Sequence, residues 1–213
     1  MNRLIKRLML YLLLLVSFCV VANDAYIEKN ELIQSLESRN IDIIVQALND
    51  IKSMRYSGDI LPLIKDLWEG KEEKWPDVPF DVVEKPIIKI ELADILLQAR
   101  SNGLIEINVD QYQNYLRNIL SSKDLKVVAN AVLILSGIED KDDIPLILNV
   151  AKKNNQVTFR AAILALSTMC IPEADIALRK YESSLSDLDL KKYVNDTRIK
   201  MGEFKKNTNM CDW

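Results

Sequence analysis

The chain has 213 residues, with 28 Lys+Arg against 31 Asp+Glu, 49% hydrophobic residues, five Gly, six Pro and no His. This composition suits a folded domain with a sizeable core, and so few Gly and Pro argue against an all-β fold with its many tight turns. Without histidine there is no Ser-His-Asp or Cys-His nucleophile, no His-ligated metal and no imidazole switch.

The first 22 residues read as a secretory signal peptide. Arg3, Lys6 and Arg7 form a basic start, Leu8 to Val21 is an uncharged apolar run, and Val20 and Ala22 are the small or β-branched residues that a signal peptidase reads. The run is shorter than the roughly 20 apolar residues that a membrane-spanning helix needs. Cleavage after Ala22 would leave residues 23–213 as one domain and move the net charge from −3 to −6. An acidic exported chain is poorly matched to nucleic acid and better matched to a basic protein.

Past residue 22, apolar residues recur at helical spacing almost throughout. Ile41, Ile44, Val45, Leu48 and Ile51 form one stripe, and Ile60, Leu63, Ile64 and Leu67 form its partner. A longer pair follows, from about Pro86 to Ser101 and from about Val109 to Leu120. Leu125, Val128, Ala129 and Val132 then pair with Ile144, Ile147, Leu148 and Ala151. Phe159, Ala162, Ile163 and Leu166 pair with Ala174, Ala177, Leu178 and Tyr181. A more polar helix near Leu188 to Met201 closes the series.

The punctuation fits these boundaries. Gly58, Gly70, Gly103, Gly137 and Gly202 are expected at or just beyond helix ends, and Pro62, Pro86, Pro145 and Pro172 near helix starts. Asp59 and Asp143 stand where an N-cap carboxylate would receive free amides.

Residues 38–71, 121–154 and 154–185 align as copies of one unit. Ala47, Ala131 and Ala162 fall at equivalent first-helix positions, each followed four residues later by Ile51, Leu135 or Leu166. With a second helix that opens Asp-Ile-Leu-Pro or Asp-Ile-Pro, these hairpins resemble HEAT-type α-helical repeats over most of residues 30–186. The resemblance implies an all-α fold, an α-α superhelix or solenoid of helical hairpins. It also implies a non-enzymatic scaffold that binds other proteins along an extended surface. The chain departs from the family pattern in its shorter third unit and in lacking an Asp/Arg ladder between units.

Chemistry-bearing patterns are sparse. The acidic pairs Glu72–Glu73 and Asp142–Asp143 are neighbours in sequence and do not face a common point, so they read as solvated carboxylates. The cluster from Glu139 to Asp143 lacks the glycine and the distal glutamate of a calcium loop, so capping and solvation are expected there. No phosphate-cradling glycine loop is present, and no cofactor or metal is expected. Cys170 and Cys211, the two cysteines left after loss of the leader, are expected to form a disulfide in an oxidising compartment.

The most distinctive stretch runs from Leu67 to Asp81. Residues 65–110 hold eleven acids and six bases, most of the excess negative charge. Trp68, Glu72, Glu73, Trp75, Asp77 and Asp81 are therefore the candidate partner-binding residues, for aromatics beside carboxylates suit a basic partner. Trp68 also reads as closing its helix against the core, and Trp75 as packing over the loop. The expected function is an exported, periplasmic protein-binding module, most concretely an immunity protein that neutralises a periplasm-acting toxin. An envelope scaffold is the alternative, and a hydrolase ranks below both.

Overall fold

The computed structural model describes residues 29–53, 60–153, 155–208 and 211. The leader expected over residues 1–22, together with Gly58 and Asp59, lies outside them. Among the described residues there are eleven α-helices, two 3-10 turns and no strand, so the all-α expectation holds. The chain divides into two compact units between Ile105 and Glu106.

The first unit contains α1 (Lys29–Leu36), α2 (Ile41–Ser53), α3 (Ile60–Trp68), α4 (Phe80–Val83) and α5 (Pro86–Ser101). Its centre is α5, against which α2, α3 and α4 pack, while α1 lies on α2. The reason is in the sequence of α5, which is apolar around most of its circumference. Ile88, Ile90, Leu92, Ala93, Ile95, Leu96 and Ala99 are all buried, as a helix without a broad polar face requires. Pro86 occupies its first turn, where a missing N–H costs little. After its end, Gly103 adopts φ +70°, and the Leu104 N–H donates to the Ala99 carbonyl at 2.8 Å.

The predicted stripes supply the other side of this core. Ile44, Leu48 and Ile51 of α2 and Ile60, Leu63, Ile64 and Leu67 of α3 are buried. One charged cluster enters the interface: Lys52 of α2 pairs with Glu91 and Asp94 of α5, the latter at 3.1 Å. Burial works to lower the Lys52 pKa, but the hydrogen bonds and charges of the two carboxylates raise it on balance.

The second unit contains α6 (Val109–Ile119), α7 (Leu125–Ile138), α8 (Ile144–Ala151), α9 (Gln156–Thr168), α10 (Pro172–Ser184) and α11 (Leu188–Thr208). Here α9 is central and packs on α7, α8, α10 and α11, while α6 lies against α7. Ala131 and Ala162 are fully buried mid-helix, and their small side chains leave room for the close α7–α9 packing. Asn108, Asp124 and Asn155 cap α6, α7 and α9 by accepting first-turn amides, each worth about 1 kcal/mol.

Three expectations about the ends are corrected. Gly137 lies inside α7, and the left-handed residue that ends this helix is Glu139, at φ 61°. Its carboxylate accepts the Cys170 N–H at 2.8 Å, which holds it in place. Gly202 likewise lies within α11, which continues past Met201 to Thr208. A helix-interior glycine costs only about 1 kcal/mol, and Cys211, just beyond, is bonded to Cys170 with a Cα–Cα distance of 5.3 Å. That expected disulfide is therefore present, and it ties the end of the chain to the α9–α10 turn.

The third correction concerns Asp143. It stands at the cap position of α8 but makes no capping hydrogen bond. Its side chain is wholly buried, where it accepts from Arg117 Nε at 2.5 Å and Gln113 Nε2 at 2.8 Å. Asp140 caps the 3-10 turn Lys141–Asp143 that precedes α8, accepting the Asp142 N–H at 2.9 Å, and also accepts from Arg117 at 3.0 Å and from Gln113 at 2.8 Å. The acidic turn is thus divided between a buried brace to α6 and the exposed Asp142.

Candidate partner-binding loop

The stretch between α3 and α5 is built as a folded plug. It leaves α3 through Gly70, whose φ of +69° lets the chain reverse. A 3-10 turn over Glu72–Lys74 follows. The Trp75 N–H then donates to the Glu72 carbonyl at 3.0 Å, and the Val78 N–H to the Trp75 carbonyl at 3.1 Å. Val78, Phe80, Val82 and Val83 are buried, so the loop is fastened at its C-terminal side by apolar contacts.

A lysine fastens the other side. Lys89 of α5 is buried, and its Nζ donates to the Trp68 carbonyl at 2.7 Å and pairs with Glu84 at 2.6 Å. The same ammonium stands 5.1 Å from the centre of the Trp68 ring, a cation–π arrangement. The half-buried Trp68 is thereby tied by ring and backbone to the central helix.

Much of the acidity is neutralised within the loop. Asp66 pairs with Lys71 and Lys74, each at 3.0 Å. Burial works to raise the Asp66 pKa, but these two lysines outweigh it and hold the carboxyl below its ordinary value. Hydrogen bonds first to Glu69 and then to Asp66 raise the pKa of Lys71. Asp81 meets Arg39 across an exposed 3.4 Å pair, which contributes little in water.

What is left over defines the candidate surface. Glu72, Glu73 and Asp77 are exposed and form no ion pair with any described residue. Trp75 lies among them in sequence, half-buried, with its indole Nε1 buried and lacking a hydrogen-bond partner among the described residues. Of the six residues singled out in the sequence, four therefore fall on one short, ordered turn. Trp68 is engaged by Lys89, and Asp81 sits beyond the turn at the start of α4.

Sequence reasoning missed Lys89, because a lysine inside an apolar helix gives no sign that it will turn inward. The pairing of Lys71 and Lys74 with Asp66 did leave a signal, the interleaving of lysines with acids from Asp66 to Lys74.

No group of His, Cys, Asp and Glu among the described residues is arranged to hold a metal ion. No described helix is long and apolar enough to cross a membrane. Comparison with protein-family models, curated proteins and solved structures finds no match to this chain.

Proposed function

We propose that this chain is an exported protein-binding module that grips a basic protein through the turn carrying Glu72, Glu73, Trp75 and Asp77. The observation that carries this reading is the sorting of charge in the loop. Asp66, Glu69 and Glu84 are met by nearby lysines, whereas Glu72, Glu73 and Asp77 face solvent unpaired among the described residues. Three uncompensated carboxylates beside an aromatic side chain offer electrostatic steering and a contact that excludes water. The anchors below them, Lys89, Val78 and Phe80, keep the loop ordered before contact and so reduce the entropy lost on binding.

The leader-like start and the Cys170–Cys211 bond support an oxidising, extracytoplasmic location. The hairpins resembling HEAT repeats support a role in binding without catalysis. Taken together, the most concrete form of the proposal is an immunity protein that occludes a periplasm-acting toxin.

The test is capture from the envelope fraction with the oxidised mature chain, followed by purification of the captured protein. A basic protein should bind the wild type and bind a Glu72→Lys/Glu73→Lys/Asp77→Lys variant at least about tenfold more weakly. Inhibition of that protein's activity upon binding supports the immunity reading, and binding without inhibition turns the proposal toward an envelope scaffold. Equal binding by wild type and variant removes the loop as the interface.

A further inference from the structure

The second unit holds a cavity of about 410 Å³ between α9, α10 and α11, with Cys211 in its wall. That is within the range of about 300–1,000 Å³ typical of small-molecule sites. Leu166 of α9 and Leu178 of α10 line it and are almost wholly buried in the fold. Its charged lining is Arg198, Lys205 and Lys206 from α11 against Asp175 from α10. Three cations to one carboxylate is the reverse of the chain's overall acidity.

These cations are only partly compensated. Arg198 Nη2 donates to Asn195 Oδ1 at 3.0 Å, while its contacts to Asp175 at 3.7 Å and Glu182 at 3.6 Å are both longer than a good hydrogen bond. Its Nε is buried without a hydrogen-bond partner among the described residues, which is costly for a charged donor. Lys205 donates to a neutral group, the Met169 carbonyl, at 2.5 Å. Neither it nor the exposed Lys206 forms an ion pair with a described residue. Burial lowers the Lys205 pKa, against the opposing charges of Asp175 and Glu139, so an added anion would stabilise its protonated form.

We propose that this cavity binds a small aliphatic carboxylate, with the carboxylate meeting Arg198 and Lys205 and the alkyl chain lying against the cavity's mainly apolar wall. Apolar lining selects for the chain and under-compensated donors select for the charged end, so neither a neutral alcohol nor a short polar anion satisfies both. The disulfide places Cys211 in the wall, which makes the oxidised chain the binding form. This site lies in the second unit and is independent of the acidic loop in the first.

The test uses the full oxidised chain and calorimetric titration with decanoate, with decanol and acetate as comparators. Decanoate should bind at least about tenfold tighter than either. Lys205→Gln, which retains a donor for the Met169 carbonyl, should weaken decanoate by about tenfold while helicity is unchanged. Arg198→Met should do the same, and if it fails to fold, Lys205→Gln alone carries the test. Decanoate should also slow acylation of Lys205 by an amine-reactive reagent, read by peptide mass. Equal affinity for decanol and decanoate, no decanoate binding at millimolar concentration, or unchanged affinity in folded Lys205→Gln would overturn the proposal.

Discussion

Replacing Asp143 with alanine should destabilise the second unit by about 3 kcal/mol, in contrast to the same change at its neighbour Asp142. Asp143 is wholly buried and holds Arg117 Nε at 2.5 Å and Gln113 Nε2 at 2.8 Å. Removing one partner of a buried ion pair costs about 3–5 kcal/mol, because the other charge is left in low dielectric. Arg117 would keep its 3.0 Å bond to Asp140, and its side chain is 27% exposed, so water can reach it and the lower figure applies. Asp142 is exposed and contributes only its backbone N–H to the turn, so Asp142→Ala should stay within about 0.5 kcal/mol. Native-state amide exchange in α7 and α9 reports this unit by itself. Protection there should fall by about two powers of ten in Asp143→Ala. Equal protection in the two variants would refute the claim that this carboxylate braces α6 to the α7–α8 turn.

Gly103→Ala should cost about 1–2 kcal/mol in chemical denaturation: the site has φ +70° and no atom within 4 Å of an added Cβ, so the whole penalty is backbone strain. Reducing the Cys170–Cys211 bond, 41 residues apart, should cost up to about 4 kcal/mol by chain entropy, read as a lower urea midpoint under reductant. The carboxyls of Asp66 and Asp140 lie below their ordinary value of 3.8 in the folded chain, so the unfolded state takes up protons first as pH falls. The stability they contribute should be fully present above about pH 5 and decline through pH 4 and below, measured by acid titration of helicity. An Asp66→Asn/Asp140→Asn variant should show a flatter acid limb, and an unchanged limb would count against their role.

Helix existence was legible because it rests on local spacing. The stripes of α3 and α9 turned inward as written, that of α2 did so at Ile44, Leu48 and Ile51 while Ile41 and Val45 stay half-buried, and Pro86 marked the start of α5 to the residue. What stayed hidden depends on partners distant in sequence. Asp143 looks like a cap because it precedes Ile-Pro, yet its side chain is claimed by Gln113 and Arg117, 30 and 26 residues away. The glycine rule likewise gave way at Glu139, where a hydrogen bond from Cys170 offsets the left-handed conformation. In the acidic loop the composition drew attention to the right segment but not to its internal pairing. Lys71, Lys74 and Lys89 settle which carboxylates remain available, and only Glu72, Glu73 and Asp77 were left.

The central claim is that those three carboxylates steer a basic protein onto the Trp75 turn. The most direct measurement is the association rate of the captured partner as ionic strength rises, for wild type and for Glu72→Lys/Glu73→Lys/Asp77→Lys. The wild-type rate should fall steeply with salt while the variant starts at least about tenfold slower and is nearly insensitive or rises. Two parallel salt profiles with the same low-salt rate would place the contact elsewhere on the molecule.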